Sequence, residues 1–393
     1  MGFSMKNIKI IIGASGGDEG KGLATDYFAS KHDHGIVVMS NGGAQRGHTV
    51  ELPDGTRHVF QHFGSGTLRG WDTYFSFDFI LNPMQFCREY DELKKITNKE
   101  FEIYCDPNCR WSTPWDMIYN QISQRLAFPP MKHNTCGMGI WSTICRYKYY
   151  EYNNIETYSL CQFFRLKPQE RLDYLRKIKE YYKKILIMRM HDDRVSDLIS
   201  LIDNKELMNH FYIDMMRMNQ IIGLDYEMPL YLYDNIIIEN GQGLLIDSQT
   251  DISFGTPTRT GIEIPLKILD RFPRCERDVE IVYVTRSYAT RHGFGLLKDE
   301  VNSGQINNWM FDETNQFNEF QGGLRYGLLY PHALLRRIDD DFSKANLGTK
   351  KSLMVTHLNE KSFDISSIKD SFNKVYTSDT KYARDVAVYK DEE

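Results

Sequence analysis

Short runs of β-branched and other apolar residues recur along the chain, and each run ends at glycines or polar residues. The runs cover the segments 8–12, 36–39, 235–239, 280–284 and 353–356. Apolar runs of this length are typical of parallel strands that are buried on both faces of a sheet. Helical stretches separate them, so the pattern predicts an α/β fold with a mainly parallel central sheet and flanking helices. Ligands of such sheets bind in the loops that follow the carboxyl ends of the strands.

The segment 167–223 has a different pattern, in which apolar residues recur at steps of three and four with charged residues between them. The clearest of these positions are Leu172, Leu175, Ile178, Tyr182 and Ile185. The pattern predicts a helical insertion packed on the sheet. No Pro/Ser-rich linker or internal repeat divides the chain, so we expect residues 1–393 to form a single domain with a helical subregion at 167–223.

Charge and composition narrow the function classes. The chain has 48 Lys and Arg against 53 Asp and Glu, a net charge of −5, which gives it no global attraction to nucleic acid or to an anionic membrane. No apolar stretch approaches the ~20 residues of a membrane span, and the first apolar run is too short for a signal peptide. Seven cysteines, an odd number, indicate reduced thiols. We therefore expect a cytoplasmic protein, or one in the host cytoplasm if it is viral.

The first loop with candidate chemistry, residues 13–22, reads GASGGDEGKG and leads from a predicted strand into a predicted helix. Glycines let backbone N–H groups approach an anion, and the helix N-terminus adds partial positive charge. Lys21 can reach phosphate oxygens. The loop is not a Walker A motif, because Gly22 stands where Ser or Thr would bind Mg²⁺. Asp18 is the candidate that replaces this metal ligand.

The second loop, residues 41–49, reads NGGAQRGHT and also follows a predicted strand. His48 lies in it between Gly47 and Thr49. An imidazole beside a phosphate site is suited to general acid chemistry near neutral pH.

These two loops, in this order, resemble those of the adenylosuccinate synthetase family, which has Gly-Asp-Glu-Gly-Lys-Gly followed by Gly-Gly-x-x-x-Gly-His-Thr. The resemblance continues along most of the chain. The segment 288–295 reads YATRHGFG, where the family has Tyr-x-Thr-Arg-Val-Gly-x-Gly. The other colinear segments are 62–66 (HFGSG), 135–140 (TCGMGI), 241–247 (GQGLLID), 254–260 (FGTPTRT) and 318–320 (NEF).

The resemblance implies a ligase that joins L-aspartate to C6 of a 6-oxopurine mononucleotide, driven by a nucleoside triphosphate and Mg²⁺. It implies that Asp18 takes the purine N1 proton and that His48 stabilises the phosphoryl group in transfer to O6. Lys21 would hold the triphosphate, while Asp18 and the carbonyl of Gly47 would bind Mg²⁺ through hard oxygen donors. Gln242 would contact the purine or its 6-phosphoryl group.

The resemblance also implies two sets of binding residues and a homodimer. Thr135 and Cys136 would lie near the 5′-phosphate of the purine nucleotide. The remaining nucleotide-binding candidates are Gly17, Glu19, Gly20, Gly22, Asn41, Gly43, Thr49, Thr258, His357 and Asn359. The aspartate-binding candidates are Arg259, Gln321, Gly322 and Arg325.

Two departures from the family pattern concern the substrates. Residues 356–359 read THLN where the family has Thr-Lys-Leu-Asp, so an amide replaces the carboxylate that accepts from the guanine of GTP. ATP or dATP then becomes a candidate donor. The aspartate loop is shortened and keeps one arginine, Arg325, to which Arg259 or Arg291 can add a second.

Three interpretations therefore stay open. The two loops that depart from the family pattern resemble those of a phage-type branch. Members of that branch act on dGMP, form 2-amino-2′-deoxyadenylosuccinate and tend to use ATP. Asp18 instead resembles the IMP-using branch, because the phage enzymes often have Ser at that position. Our leading hypothesis is (d)GMP, L-aspartate and ATP. The alternatives are IMP, L-aspartate and GTP, or a nucleotide-binding protein without ligase activity.

Overall fold

The computed structural model describes residues 5–128, 135–189, 191–224, 229–249, 255–271, 276–309 and 312–390. Phe254, which begins one of the motif segments, lies outside the described residues, as does Cys275.

The strands are short, apart from those at the centre of the main sheet. In chain order they are β1 (Lys6–Gly13), β2 (Ile36–Met39), β3 (Gly42–Gly43), β4 (His48–Glu51), β5 (Arg57–Phe60), β6 (Asp72–Phe75), β7 (Phe79–Leu81), β8 (Ile103–Cys105), β9 (Arg110–Trp111), β10 (Gly223–Leu224), β11 (Asn235–Gly243), β12 (Arg277–Arg286), β13 (Ala289–His292), β14 (Glu300–Val301), β15 (Leu324–Gly327), β16 (Lys350–Thr356), β17 (Lys374–Thr377) and β18 (Ala387–Val388).

The helices of the described residues are α1 (Lys21–Ala29), α2 (Pro83–Ile96), α3 (Pro114–Arg125), α4 (Ile140–Tyr152), α5 (Leu160–Arg165), α6 (Pro168–Leu186), α7 (Ser196–Ile202), α8 (Lys205–Ile221), α9 (Glu263–Asp270), α10 (Ser303–Ile306) and α11 (Pro331–Phe342). Short 3₁₀ turns cover 67–69, 187–189, 193–195, 229–232, 244–246, 369–371 and 383–385.

The main sheet has ten strands in the order β10-β8-β6-β2-β11-β1-β12-β16-β17-β18. Every neighbouring pair in it is parallel except β17 and β18, which are antiparallel. All five strands that the sequence predicts lie in this sheet. The predicted α/β fold with a mainly parallel central sheet is therefore confirmed.

The central strands are apolar on both faces because both faces of the sheet are covered. In β1, Ile8, Ile10 and Ile12 pack into one core, while Ile11 packs into the core on the opposite face. None of these four side chains is exposed. This double burial explains why the sequence shows continuous apolar runs instead of alternation.

The segment 167–223 forms helices α6, α7 and α8. Helix α8 packs on α2, and α3 packs on α4, α6 and α7. These helices lie against the same core as one face of the sheet. Within the described parts of the chain, no helix combines the length and the apolar character that crossing a membrane requires.

Candidate active site

Two cavities open where the central strands end. The first has a volume of about 480 Å³ and the second about 450 Å³. The loops after β1 and β16 and the end of β12 contribute to the first cavity, and the loops after β1 and β11 contribute to the second. Asp18 lines both. One carboxylate is therefore accessible from two separate binding spaces.

The loop between β1 and α1 has an unusual backbone. Gly17, Asp18 and Gly20 all have positive φ, at 106°, 58° and 93°. A residue with a side chain rarely adopts this conformation and keeps it only where other contacts hold it. Here the Arg286 Nε donates to the carbonyl of Asp18, and Thr290 Oγ1 donates to the carbonyl of Gly17 at 2.8 Å. The loop is thus fixed by residues of β12 and β13.

Glu19 and Lys21 form a buried ion pair next to this loop. Lys21 Nζ lies 3.3 Å from Glu19 Oε2, and the backbone N–H of Ser15 donates to the same carboxylate. Burial raises the pKa of Glu19, and the charge of Lys21 opposes that rise. Lys21 is only 3% exposed and lines the first cavity. A buried ammonium at this position favours an anionic ligand there.

His48 is paired with a residue that the sequence analysis did not identify, Glu239. His48 Nδ1 is hydrogen-bonded to the carboxylate of Glu239, which also accepts from Ser65 Oγ at 2.8 Å and lies 3.3 Å from Arg46 Nη1. His48 Nε2 is buried and has no hydrogen-bond partner among the described residues. The unpartnered nitrogen belongs to a side chain that lines the first cavity.

The charges of this pair follow from its surroundings. Burial raises the pKa of Glu239, but His48 and Arg46 lower it by more, and the net pKa is about 2. Burial lowers the pKa of His48 to about 4. The cations Lys21 and Arg46 also lower this pKa, whereas the carboxylate of Glu239 raises it. Glu239 is therefore ionised at neutral pH. The available signal for Glu239 was a single charged residue directly after the apolar run 236–238.

A second residue that sequence reasoning missed is His292, at the end of β13. Its Nε2 lies 3.4 Å from Asp18 Oδ2. His292 also lines the second cavity.

The structure distributes many of the candidate residues between the two cavities. Besides Asp18, Lys21 and His48, the first cavity is lined by Glu19, Gly20, Gly22, Gly47, Thr49, His357 and Asn359. The second is lined by Thr135, Cys136, Gln242 and Gln321.

Other candidates lie outside the walls of both cavities. Asn41 is buried, where its side chain accepts from the backbone N–H of Gly241 at 2.8 Å and donates to the carbonyl of Arg259. A Cβ on Gly43 would lie 2.6 Å from Ile140 Cδ1, so this glycine permits close packing. The remaining candidates outside the cavity walls are Gly17, Thr258, Arg259, Gly322 and Arg325.

The arginines expected at the aspartate site already contact carboxylates of the protein. Arg259 lies 3.3 Å from Asp247 and 2.8 Å from Glu263. Arg325 pairs with Glu300, and its Nη1 donates to the carbonyls of residues 293 and 295 at 2.8 and 2.9 Å. Arg291 lines the second cavity, and its guanidinium donates to the carbonyls of Phe294 and Leu296 at 3.1 and 3.3 Å.

Oxygen donors for a metal ion lie on the first cavity. Among the described residues, no group of three or more His, Cys, Asp or Glu side chains is arranged to hold a metal. Asp18 and Gly47 nevertheless both line this cavity. Mg²⁺ commonly binds through one or two carboxylates together with substrate phosphates. The donor set therefore fits an ion that arrives with a nucleotide.

Comparison with known sequences gives a consistent result. Residues 10–326 match the family model of adenylosuccinate synthetase. The adenylosuccinate synthetase of Synechocystis sp. is 25% identical over 346 residues, which cover 80% of this chain and 68% of that protein. That of Picrophilus torridus is 24% identical over 311 residues, covering 76% of this chain and 66% of the relative.

Two solved structures share the fold. The fully ligated adenylosuccinate synthetase of Plasmodium falciparum has a TM-score of 0.67 at 17% identity, with 98% of this chain and 100% of that chain covered. The succinoaminodeoxyadenylate synthetase of cyanophage S-2L, bound to dGMP and to dATP as an energy donor, has a TM-score of 0.65 at 12% identity, with 98% and 96% covered.

Proposed function

The chain belongs to the adenylosuccinate synthetase family of carbon–nitrogen ligases, and from this premise we propose that it joins L-aspartate to C6 of (d)GMP with ATP as the phosphoryl donor. The products are 2-amino-(deoxy)adenylosuccinate, ADP and phosphate. The observation that carries the proposal is the position of Asp18, which lines both cavities. A carboxylate there can contact a purine in the second cavity beside the phosphates of a donor in the first.

The chemistry proceeds in two steps. Asp18 takes the proton from purine N1, and the electron pair makes O6 the nucleophile that attacks the γ-phosphorus. The bond from that phosphorus to the bridging oxygen breaks, and ADP leaves. The amine of L-aspartate then attacks C6 and loses a proton, the C6–O6 bond breaks, and phosphate leaves with the former O6 as one of its four oxygens.

Lys21 and His48 act on the group in transfer. Phosphoryl transfer depends mainly on positioning and charge neutralisation, which the buried ammonium of Lys21 supplies at the first cavity. His48 is held through Nδ1 by Glu239, so only Nε2 can contact a phosphoryl oxygen, and it donates there once it is protonated, which the negative charge of the phosphates favours. Gln242 lines the second cavity, where it can contact the purine or its 6-phosphoryl group.

Asp18 and the carbonyl of Gly47 would hold Mg²⁺. When bound, the ion neutralises charge on the triphosphate oxygens.

The donor proposal rests on Asn359, whose exposed side chain lines the first cavity. A carboxylate at this position would accept both guanine donors, N1–H and the N2 amino group. The amide of Asn359 instead offers one acceptor and one donor, which match the N6 amino group and N1 of adenine. This complementarity supports ATP over GTP.

A second candidate function, IMP with L-aspartate and GTP, is favoured by Asp18 itself, because the phage branch often has Ser at that position. A third, nucleotide binding without ligation, gains support only from the altered aspartate loop. The presence of Lys21, His48 and Glu239 around the first cavity opposes it.

We propose L-aspartate as the amine donor, held by residues that differ in part from the candidates of the family pattern. Arg291 and Gln321 line the second cavity, and Arg291 would bind a carboxylate there in exchange for its present hydrogen bonds to the carbonyls of Phe294 and Leu296. Arg259 and Arg325 would bind a dicarboxylate only after exchanging their present partners, Asp247, Glu263 and Glu300. By analogy with the family we further propose a homodimer in the cytoplasm, or the host cytoplasm, which light scattering and fractionation test.

The test is a matrix of dGMP, GMP and IMP, each with ATP or GTP and with L-aspartate and Mg²⁺. Phosphate release and the mass of the nucleotide product are measured. The proposal expects turnover of dGMP or GMP with ATP. Turnover of IMP alone would refute the assignment of (d)GMP as substrate. Nucleotide binding without triphosphate cleavage in every combination would refute the ligase activity. Asp18→Asn and His48→Ala should fold and lose most turnover; asparagine tolerates the positive φ of residue 18.

A further inference from the structure

His292 makes two polar contacts through a single ring nitrogen. Its Nε2 lies 3.4 Å from Asp18 Oδ2 and 3.1 Å from Asn315 Oδ1. The side chains of His292 and Asp18 are only 14% and 20% exposed. The imidazole is therefore largely shielded from water and lies against the carboxylate that the two cavities share.

The neighbours of His292 determine which nitrogen carries hydrogen. Asn315 Nδ2 donates to Asp312 Oδ2 at 2.8 Å, so the amide oxygen of Asn315 faces the imidazole. Both contacts of His292 Nε2 are consequently acceptors, and Nε2 must be a donor. His292 Nδ1 is buried without a hydrogen-bond partner among the described residues.

Asp312 holds Asn315 in this arrangement, and it also holds Arg286, which makes a second contact to Asp18. It accepts from the backbone N–H of Asn315 at 2.9 Å and from Arg286 Nη2 at 2.9 Å. Arg286 Nε in turn donates to the carbonyl of Asp18. The backbone of Asp18 is thus held through Arg286 and its carboxylate through His292, and both lines of contact end at Asp312.

We infer that His292 is a positioning residue for Asp18. The inference rests on the proposed ligase function, in which Asp18 must present a carboxylate oxygen to purine N1–H. A carboxylate on a single-bonded stem can rotate, and the imidazole Nε2–H, 3.4 Å from Oδ2, attracts that oxygen electrostatically and restricts the rotation. The other oxygen is left in a defined place for the substrate, which is the kind of preorganisation that favours the chemical step.

The location of this network predicts what it affects. Asp312 and Asn315 line the first cavity, whereas His292 lines the second. The contact acts on Asp18, which also lines the first cavity and would hold Mg²⁺ there. Loss of the contact therefore lowers kcat, and it changes KM for the donor only through the Mg²⁺ that Asp18 would hold.

The experiment compares His292→Val with His292→Gln in the full chain. Valine is the residue of the family motif and has no donor, whereas the amide of glutamine can replace the Nε2–H. We expect His292→Val to lower kcat about 10- to 100-fold. His292→Gln should recover kcat to within about threefold of the unsubstituted enzyme. The control His332→Val, at an exposed position of α11, should have the kcat of the unsubstituted enzyme. Equal kcat for His292→Val and the unsubstituted enzyme overturns the inference, as does an equal loss in His292→Gln.

A binding cycle tests His292 without using turnover. The affinity for a purine mononucleotide is measured by calorimetry for Asp18→Asn, made in the unsubstituted chain and in His292→Val. If His292 positions Asp18, the loss caused by Asp18→Asn shrinks at least about threefold in the second background. An equal loss in both backgrounds overturns the inference. Absence of ligation by the unsubstituted enzyme instead counts against the proposed function, and the cycle still decides the role of His292.

A variant that fails to fold does not block the decision. Asn315→Ala removes the partner that orients the imidazole and lies on a part-exposed segment. It should lower kcat in the same direction as His292→Val, by a smaller factor. Unchanged kcat in Asn315→Ala overturns the inference when His292→Val cannot be measured.

Discussion

The imidazole of His48 is bound through Nδ1 to the carboxylate of Glu239, a residue almost two hundred positions away in the sequence. His48 begins β4 and Glu239 lies in β11 of the central sheet. Because Glu239 engages Nδ1, the ring has one nitrogen left, Nε2, for a ligand of the first cavity. The rigid central strand therefore fixes the tautomer and the orientation of a side chain that itself begins a short hairpin.

Glu239→Gln should weaken both stability and turnover. The buried guanidinium of Arg46 loses its ionic partner, and breaking a buried pair costs about 3–5 kcal/mol. The fixed orientation of His48 is also lost, so we expect kcat to fall about 10- to 100-fold. Urea unfolding and steady-state kinetics measure the two effects. Glu102→Gln, at an exposed position, is the control, and a Glu239→Gln enzyme indistinguishable from it would refute the role of the pair.

A second expectation concerns acid stability and depends on His62. This side chain has no exposed surface, and its Nε2 accepts from the backbone N–H of Asn82 at 2.9 Å. Burial lowers the pKa of His62 from 6.5 to about 3, and the charge of Arg46 adds to the effect. The unfolded chain therefore binds the proton more readily between these two values. The free energy of unfolding should fall as pH decreases through that window, by up to about 1.4 kcal/mol per pH unit.

Urea unfolding at a series of pH values tests the role of His62. In His62→Gln, whose amide oxygen can still accept from Asn82, the free energy of unfolding should depend less on pH below about 6.5. Identical pH dependence in the two proteins would show that His62 is not the group responsible.

The sequence predicted the five adjacent central strands of the ten-stranded sheet because the burial of these strands on both faces leaves a local signal. Strand β6 was missed because its residues, 72–75, mix polar with aromatic side chains and form no apolar run. Glu239 and His292 were missed for a different reason: each is a single polar residue whose role comes from a partner distant in the sequence. Their contacts with His48 and Asp18 exist only once strands and loops are assembled.

The same limit applies to the arginines at the candidate aspartate site. Residue type indicates that Arg259 and Arg325 can bind a carboxylate, but it does not indicate which one. The fold brings Asp247 and Glu263 to Arg259, and Glu300 to Arg325. Pairing inside the protein competes with pairing to a substrate, and a local motif carries no information on that competition.

The wall of the second cavity should depend on a buried ion pair that does not itself line the cavity. Arg146 of α4 binds Asp116 of α3 through two hydrogen bonds, at 2.9 and 3.0 Å, and neither side chain is exposed. These two helices supply Asn120 and Ile140 to the cavity. Arg146→Met leaves the carboxylate unpaired and should lower the free energy of unfolding by about 3–5 kcal/mol. It should also weaken binding of the purine mononucleotide.

Calorimetry and urea unfolding measure the two effects of Arg146→Met. The matched control is Arg88→Met, which removes an arginine from an ion pair with Glu92 whose side chains are 71% and 43% exposed. That change should alter stability by no more than about 1 kcal/mol. If Arg146→Met costs no more than the control, the buried pair does not hold the two helices together.

The choice of donor should follow the charge at residue 359. Asn359→Asp removes the amide donor that matches adenine N1 and supplies a carboxylate that accepts from both guanine donors. We expect the ratio of kcat/KM for ATP to that for GTP to fall about 10- to 100-fold, because a polar group left without its partner is costly in a binding site. Asn346→Asp, in an exposed loop, introduces the same charge elsewhere and should leave the ratio unchanged. An unchanged ratio in Asn359→Asp would mean that residue 359 does not read the donor base. The preference for ATP would then have to come from another side chain of the first cavity, for which His357 is the adjacent candidate.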